Sequence, residues 1–359
     1  TGEASRRMGT SFKGGESYYY MHLNRNKRGI TVDLRTKEGL SIFEDLVMIS
    51  DVVLDNFRPG VTTRLGIRYQ HLKTINPTII CCSVSGFGQT GPNSGTPVFD
   101  SVIQAASGAM SVTGEPQGPP NVMGFAVTDI GGGYGATVGV LAALLNRERT
   151  GEGREVDISL LDVQLTFQGH LSEMYLGRGV IPTPGGSVQS ANLPNGAFLA
   201  KDGKYLQIHC ATQKFYDILS KRLSETVEGL QGLADDDRFI AMDGRRQNWE
   251  ELEKLLAYAF STKTSQEWME TLGNEVPIAP INNLAEALEQ PQAKHRNMLV
   301  ESDHPVVGKY LMTGNPIKMG QQEFFEPAPT LGQHNLHILQ ELLGYPSEHI
   351  ESLQNMGII

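Results

Sequence analysis

Residues 51–84 begin Asp51-Val52-Val53-Leu54-Asp55, break at Asn56-Phe57-Arg58-Pro59-Gly60, and end Thr78-Ile79-Ile80-Cys81-Cys82-Ser83-Val84. Two short apolar runs without polar alternation read as strands buried on both faces. Between them, 69–76 reads as a short helix stopped by Pro77. Upstream, Gly29-Ile30-Thr31-Val32-Asp33-Leu34 alternates as a strand, and Thr36 is placed to cap a helix from Lys37 to Met48. The order βαβαβ predicts an α/β fold with a mostly parallel sheet covered by helices.

Further along, 99–110 reads as a helix of small side chains, 114–120 as a Pro/Gly loop, and 121–128 as a strand with Asp129 at its end. The following helix, 130–147, carries Gly131, Gly132, Gly133, Gly135 and Gly139. Each mid-helix glycine costs up to about 1 kcal/mol against alanine, so the run needs a reason in close packing or ligand approach. A strand over 154–159 and a helix over 160–176 complete the pattern. Composition then shifts to Gly, Pro and Ser. After that shift, 196–200 and 205–210 read as a hairpin, with helices at 215–223, 249–260 and 265–272. The tail offers a strand over 307–313 and a helix over 334–343. The expected division is a large α/β domain over 1–180, a linker over 181–195, a small α+β domain over 196–290, and a C-terminal segment over 291–359.

The 359 residues are 39% hydrophobic and 19% charged, enough to bury a core and too apolar for bulk disorder. Forty glycines without a Gly-X-Y period exclude collagen and fit many tight backbone approaches. The formal charge of −10, with no long basic run, argues against a nucleic-acid partner. It leaves room for a local cationic pocket. Cys81, Cys82 and Cys210, with no CxxC, form no disulfide framework and point to a reducing compartment. Cytoplasm is expected, or the mitochondrial matrix in a eukaryote. No apolar run reaches the roughly 18 residues of a membrane span, so no membrane partner is expected. The chain begins at Thr1 without a signal-like stretch.

Gly86-Phe87-Gly88-Gln89-Thr90-Gly91 matches GxGxxG after a strand, but Pro92 and Pro97 follow. A dinucleotide fingerprint needs a helix opening there, so this one lacks its context. There is no P-loop and no GxSxG elbow. The helical pair His334 and His337 has no third metal ligand nearby, so no metal is expected. Asp129 is the strongest chemical candidate. A carboxylate ahead of a helix sits at its positive end, which favours the anion, and an accessible carboxylate is a nucleophile for acyl groups. The same residue would serve as a plain helix N-cap. The glycine run favours the nucleophile, because a cap needs no such run.

Several motifs fall in one register. They are Asn24-Arg25-Asn26-Lys27-Arg28, then Asp55-Asn56-Phe57-Arg58-Pro59-Gly60-Val61 with Arg64-Leu65-Gly66, then Ser85-Gly86-Phe87-Gly88-Gln89-Thr90-Gly91-Pro92. Asp129 with its glycines, Ala142-Ala143-Leu144, Arg149-Thr150-Gly151-Glu152-Gly153, Val156-Asp157-Ile158-Ser159-Leu160, Ala279-Pro280-Ile281-Asn282-Asn283 and His304-Pro305-Val306-Val307-Gly308 continue it. From about Ser17 to the C-terminus the series resembles the class III CoA-transferase family, also called CaiB/BaiF. The resemblance implies an interlocked homodimer. Each chain would have a large Rossmann-like α/β domain, a small α+β domain and a returning C-terminal segment. It also implies a further strand, loop and helix before Thr1.

In that family's terms Asp129 is the catalytic aspartate, and Asn56, Phe57 and Arg64 fall where CoA is contacted. Gly185 and Gly186 lie roughly where a glycine loop covers the active site. Main-chain N–H groups around Gly131 and Gly132, and around Gly88 and Gln89, are candidate oxyanion donors. Coenzyme A enters as the acyl-CoA substrate, with no metal. Asp129 would pass through a mixed anhydride and an aspartyl-CoA thioester on the way to a carboxylic acid acceptor. The motifs look nearest to members using succinyl-CoA and a dicarboxylate, for which Arg25, Arg28, Arg58 and Arg178 are candidate cations. An acyl-CoA racemase or epimerase is the alternative within the family. Ser111 stands where that branch has histidine, and no His lies between His71 and His170. A second alternative is a non-catalytic CoA-binding scaffold.

Overall fold

The computed structural model describes residues 2–188, 192–320 and 324–359. Two-residue strands β1 (Phe12–Lys13) and β2 (Glu16–Ser17) pair antiparallel ahead of α1 (Tyr18–Leu23). Helix α2 (Lys37–Met48) starts where its cap predicts: the Thr36 hydroxyl accepts the Gly39 N–H at 3.0 Å, satisfying an orphan donor of the first turn. Then come β3 (Val52–Asp55), α3 (Val61–Leu65), α4 (Tyr69–Ile75) and β4 (Ile80–Ser85). After α5 (Asp100–Ala106) and α6 (Val127–Thr150) the chain forms β5 (Arg154–Ser159). Strands β3, β4 and β5 make a parallel sheet in that order, as the α/β reading requires.

The period of two assigns this sheet's faces. Val53 and Cys81 join Val47, Leu72 and Ile79 in a core under α2 and α4. On the other face α6 lies directly on β5. A Cβ added at Gly139 would fall 2.8 Å from Val156 Cγ1, and one at Gly132 would fall 2.3 Å from Leu160 Cδ2 and 3.5 Å from Val84 Cγ1. Gly135 meets Ile158 Cγ2 at 3.5 Å in the same sense. Three glycines spaced three and four apart thus let a helix backbone sit against the strand side chains. Helix α6 is also long and apolar enough, by length and composition alone, to cross a membrane, which the sequence reading did not anticipate. Its glycine face is that of a sheet-covering helix.

Other elements depart from expectation. The 29–34 segment is extended but joins no ladder among the described residues. Its N–H groups turn instead to the C-terminal region: Gly29 donates to His334 Nδ1 at 3.0 Å, Thr31 to Asn335 Oδ1 at 2.9 Å, and Asp33 to the Ile358 carbonyl at 2.8 Å. Ile30 and Val32 still use their alternation, packing on Ile42, Leu339 and Leu353. Residues 121–126 form no strand, and α6 begins at Val127. The helix expected over 160–176 is two, α7 (Leu160–Phe167) and α8 (Gly169–Arg178), broken at Gln168. The Gln168 side chain donates to the Ser107 and Gln164 carbonyls. The helix expected over 334–343 is present over 335–342 and is π-helical at His337–Leu342, and Ser347–Asn355 forms a further helix the sequence reading missed.

The chain divides into two compact units. One comprises Thr1–Phe99, Thr128–Val163 and Leu284–Ile359, the other Asp100–Val127 and Gln164–Asn283. The division is discontinuous where contiguous domains were expected. Residues 100–127 and 164–180 belong with the second unit, and 284–290 with the first. The second unit contains the expected hairpin, β6 (Asn195–Leu199) with β7 (Tyr205–His209), to which β8 (Ile278–Pro280) adds an antiparallel edge. Leu206, Ile208, Leu219, Phe239, Phe260 and Trp268 form its buried core. Part of the expected 181–195 linker, 189–191, lies outside the described residues. In the first unit β9 (Leu299–His304) and β10 (Gly308–Thr313) form a hairpin on Tyr20 and Met21.

Candidate active site

Asp129 stands within the first turn of α6 rather than at a strand end. The dipole of that turn favours its anion. The residue is exposed and lines a cavity of about 540 Å³ within the first unit. Three strands shape this cavity: Val52 and Leu54 along β3 with Asn56 after it, Val84 near the end of β4, and Leu160 after β5. Gly133, Ala136, Thr137, Val140 and Leu141 form the α6 wall. Ligands in open parallel sheets bind outside the carboxyl ends of strands, and Asp129 with Asn56 occupies that end.

The turn after β3 is built by Asp55. Its Oδ1 accepts the Phe57 N–H at 2.9 Å, and its Oδ2 accepts the Ser83 hydroxyl at 2.7 Å. The Asn56 amide then donates to the Val84 carbonyl at 2.7 Å and faces the cavity. Phe57 is exposed, and Arg64 is exposed in α3, a helix flanked by the left-handed Gly60 and Gly66. Neither Phe57 nor Arg64 lines the Asp129 cavity.

The glycine run has two roles. Gly131 and Gly132 are buried, and Gly132 is a packing residue. Gly133 faces the cavity with nothing within 4 Å of where its Cβ would lie. Gly88 takes φ +84°, and the Gln89 N–H, a candidate oxyanion donor from sequence, is donated to Asp157 Oδ2 at 3.0 Å. Gly185 and Gly186 belong to the second unit, where the Gly186 N–H donates to the Gly114 carbonyl at 2.9 Å. Sequence reasoning missed the wall at Ala136, Val140 and Leu141. Their offsets of 7, 11 and 12 from Asp129 carried the helical signal.

No Lys or Arg lines the Asp129 cavity among the described residues. Arg25 bonds the Thr313 and Gly314 carbonyls and lies over the Phe325 ring, and Arg28 bonds His337 Nε2 at 2.8 Å. Arg58 is exposed after β3, and Arg178 ends α8 in the second unit. A second cavity of the first unit, about 630 Å³, carries Arg6, Lys27, Arg35 and the candidate cation Arg28, but none of Asp129, Asn56, Phe57 and Arg64. No group of three or more His, Cys, Asp and Glu is placed to hold a metal among the described residues. All three cysteines are buried free thiols. Burial pushes Cys81 and Cys210 up to about 12, so neither rivals Asp129 as a nucleophile at neutral pH.

The model of CoA-transferase family III matches residues 1–335. The chain is 33% identical over 361 residues to human succinyl-CoA:glutarate CoA-transferase, covering all of this chain and 81% of that protein. It is 37% identical over 320 residues to acetyl-CoA:oxalate CoA-transferase of Acetobacter aceti, covering 89% of this chain and 79% of that one. A crystal structure of a CaiB/BaiF family protein from Brucella suis aligns with a TM-score of 0.82 at 32% identity, covering 95% of this chain and 89% of that one.

Proposed function

Because the chain belongs to CoA-transferase family III, we propose that it moves CoA from succinyl-CoA to a dicarboxylic acid with Asp129 as the nucleophile. The observation that carries this reading is the Asp129 carboxylate in the first turn of α6, lining a cavity at the strand ends. A carboxylate oxygen attacks the thioester carbonyl, the C–S bond breaks, and CoA thiolate leaves an acyl-aspartyl anhydride. The thiolate then attacks the Asp129 carbonyl carbon, releasing the donor acid and forming an aspartyl-CoA thioester. The acceptor carboxylate attacks that thioester and displaces the thiolate again. Thiolate attack on the acceptor's acyl carbon of the second anhydride restores Asp129. Every step exchanges acyl groups among carboxylate and thiolate, so the protein's task is to position the reactants, stabilise oxyanions and keep water from the anhydride. The apolar walls from Leu54, Val140, Leu141 and Leu160 support water exclusion.

Asn56, Phe57 and Arg64 are assigned to CoA in this reading, and Gly88, Gln89 and Gly131 to the surroundings of the reacting carbonyl. The dicarboxylate preference is supported by relatives whose names specify glutarate and oxalate. The working state is proposed to be a homodimer, for which sedimentation should give twice the 39.3 kDa chain mass. In a transfer assay from succinyl-CoA, the wild type should use glutarate-like diacids better than monocarboxylates, and Asp129→Ala should lose transfer. Full transfer by Asp129→Ala would sink the mechanism. Equal use of monocarboxylates would remove the dicarboxylate preference.

A further inference from the structure

At the carboxyl ends of β3, β4 and β5, three polar side chains stand in one row. Asp55 pairs in register with Ser83, and Ser83 with Asp157. Register partners in a parallel sheet project from the same face. Their sequence neighbours Val84 and Ile158 meet the α6 glycines. The row therefore lies on the opposite face, away from the cavity that holds Asp129. Each carboxylate ties down a loop. Asp55 accepts both the Phe57 N–H at 2.9 Å and the Ser83 hydroxyl at 2.7 Å, closing the Asn56–Phe57 turn. Asp157, on β5, reaches the loop that leaves β4. Its Oδ2 accepts the Gln89 N–H at 3.0 Å, and a Cβ on Gly88 would lie 3.5 Å from the same oxygen. That loop is pinned again where the Leu161 N–H donates to the Gly86 carbonyl at 3.0 Å.

The geometry points to Asp55 and Asp157 as positioning residues for the transfer reaction, an inference that rests on the reading of Asp129 as nucleophile. Neither lines the Asp129 cavity, so neither touches the reacting atoms there. They act through the loops they hold: Asp55 through Asn56 and Phe57, on the side assigned to CoA, and Asp157 through Gly88 and Gln89, on the side assigned to the reacting carbonyl. Hydrogen bonds from main-chain N–H to a carboxylate are charge-assisted, which suits loops that must hold one conformation against solvent. Ser83 sits between the two carboxylates. By donating to Asp55 it fixes one of them without adding charge to the row.

The division of labour is testable, because the two aspartates should fail differently. In the intact protein, Asp55→Ala should raise KM for acyl-CoA about tenfold with little change in kcat. Asp157→Ala should lower kcat about tenfold or more with little change in KM. Asp55→Asn and Asp157→Asn, which keep an acceptor oxygen, should recover most of each loss. Amide hydrogen exchange should quicken at Phe57 in Asp55→Ala and at Gln89 in Asp157→Ala. Alanine variants that keep wild-type kcat and KM and merely melt lower would overturn the inference while leaving Asp129 in place. A wild type that forms no adduct on Asp129 with acyl-CoA would overturn the reading of Asp129 as nucleophile, and this inference with it.

Discussion

Gly133 and Gly139 mark two different faces of one helix. Gly139 faces Val156, whose β-branched side chain has little room to turn aside, and an added Cβ would come within 2.8 Å of it. Gly133 opens on the Asp129 cavity. Gly139→Ala should therefore lower stability by about 1–2 kcal/mol despite alanine's better helix propensity. Gly133→Ala should raise stability by up to about 1 kcal/mol while impairing turnover, since its methyl enters the cavity. Urea melts of both variants check this, and equal shifts of the same sign would refute the two-face assignment. From sequence the run was legible as exceptional, with close packing or ligand approach as its reason. Its packing partner was not legible, because nothing in the sequence says which strand lies beneath the helix. The spacing Gly132, Gly135, Gly139 was the available signal.

Among the elements, the β9–β10 hairpin carries a pH sensitivity that its sequence hides. His304 is buried at the end of β9, and its Nδ1 accepts the Val306 and Val307 N–H groups at 3.2 and 3.3 Å. An acceptor at Nδ1 requires the neutral ring with its proton on Nε2. Burial lowers its pKa below the ordinary 6.5, with Glu16 opposing that shift and Arg6 adding to it. The folded state thus favours neutral His304. Its contribution is complete above pH 6.5 and is lost as pH falls through the lowered folded value. Melting temperature should fall between pH 7 and pH 5, and His304→Gln should flatten that slope. An unchanged slope in the variant would assign the acid sensitivity elsewhere. The strands β3 and β4 were legible from short continuous apolar runs, although only β4 is largely buried, and β5 from Val156 and Ile158 alternating with polar residues. The 29–34 segment has the right alternation but spends its N–H groups on His334, Asn335 and the Ile358 carbonyl. Alternation reports which side chains are buried, and says nothing of who takes the backbone hydrogen bonds.

For the molecule as a whole, a composition shift over 177–194 located a boundary that the chain does not respect. Residues 100–127 and 164–283 make one unit, and the Gly186–Gly114 bond joins two loops of that unit far apart in sequence. Local composition cannot reveal a chain that leaves a unit and returns. The family was legible because its motifs fall in one register along the chain, and of them Asn56, Asp129, Gly133 and Leu160 line the Asp129 cavity. The acceptor was not, since no cation lines that cavity among the described residues. What binds these scales together is the claim that Asp129 becomes acylated. Incubating the protein with succinyl-CoA, quenching with hydroxylamine or borohydride and mapping the peptides by mass spectrometry tests it most directly. The account predicts modification at Asp129, absent without acyl-CoA. Transfer activity with an unmodified Asp129, or an adduct on another residue, would contradict it.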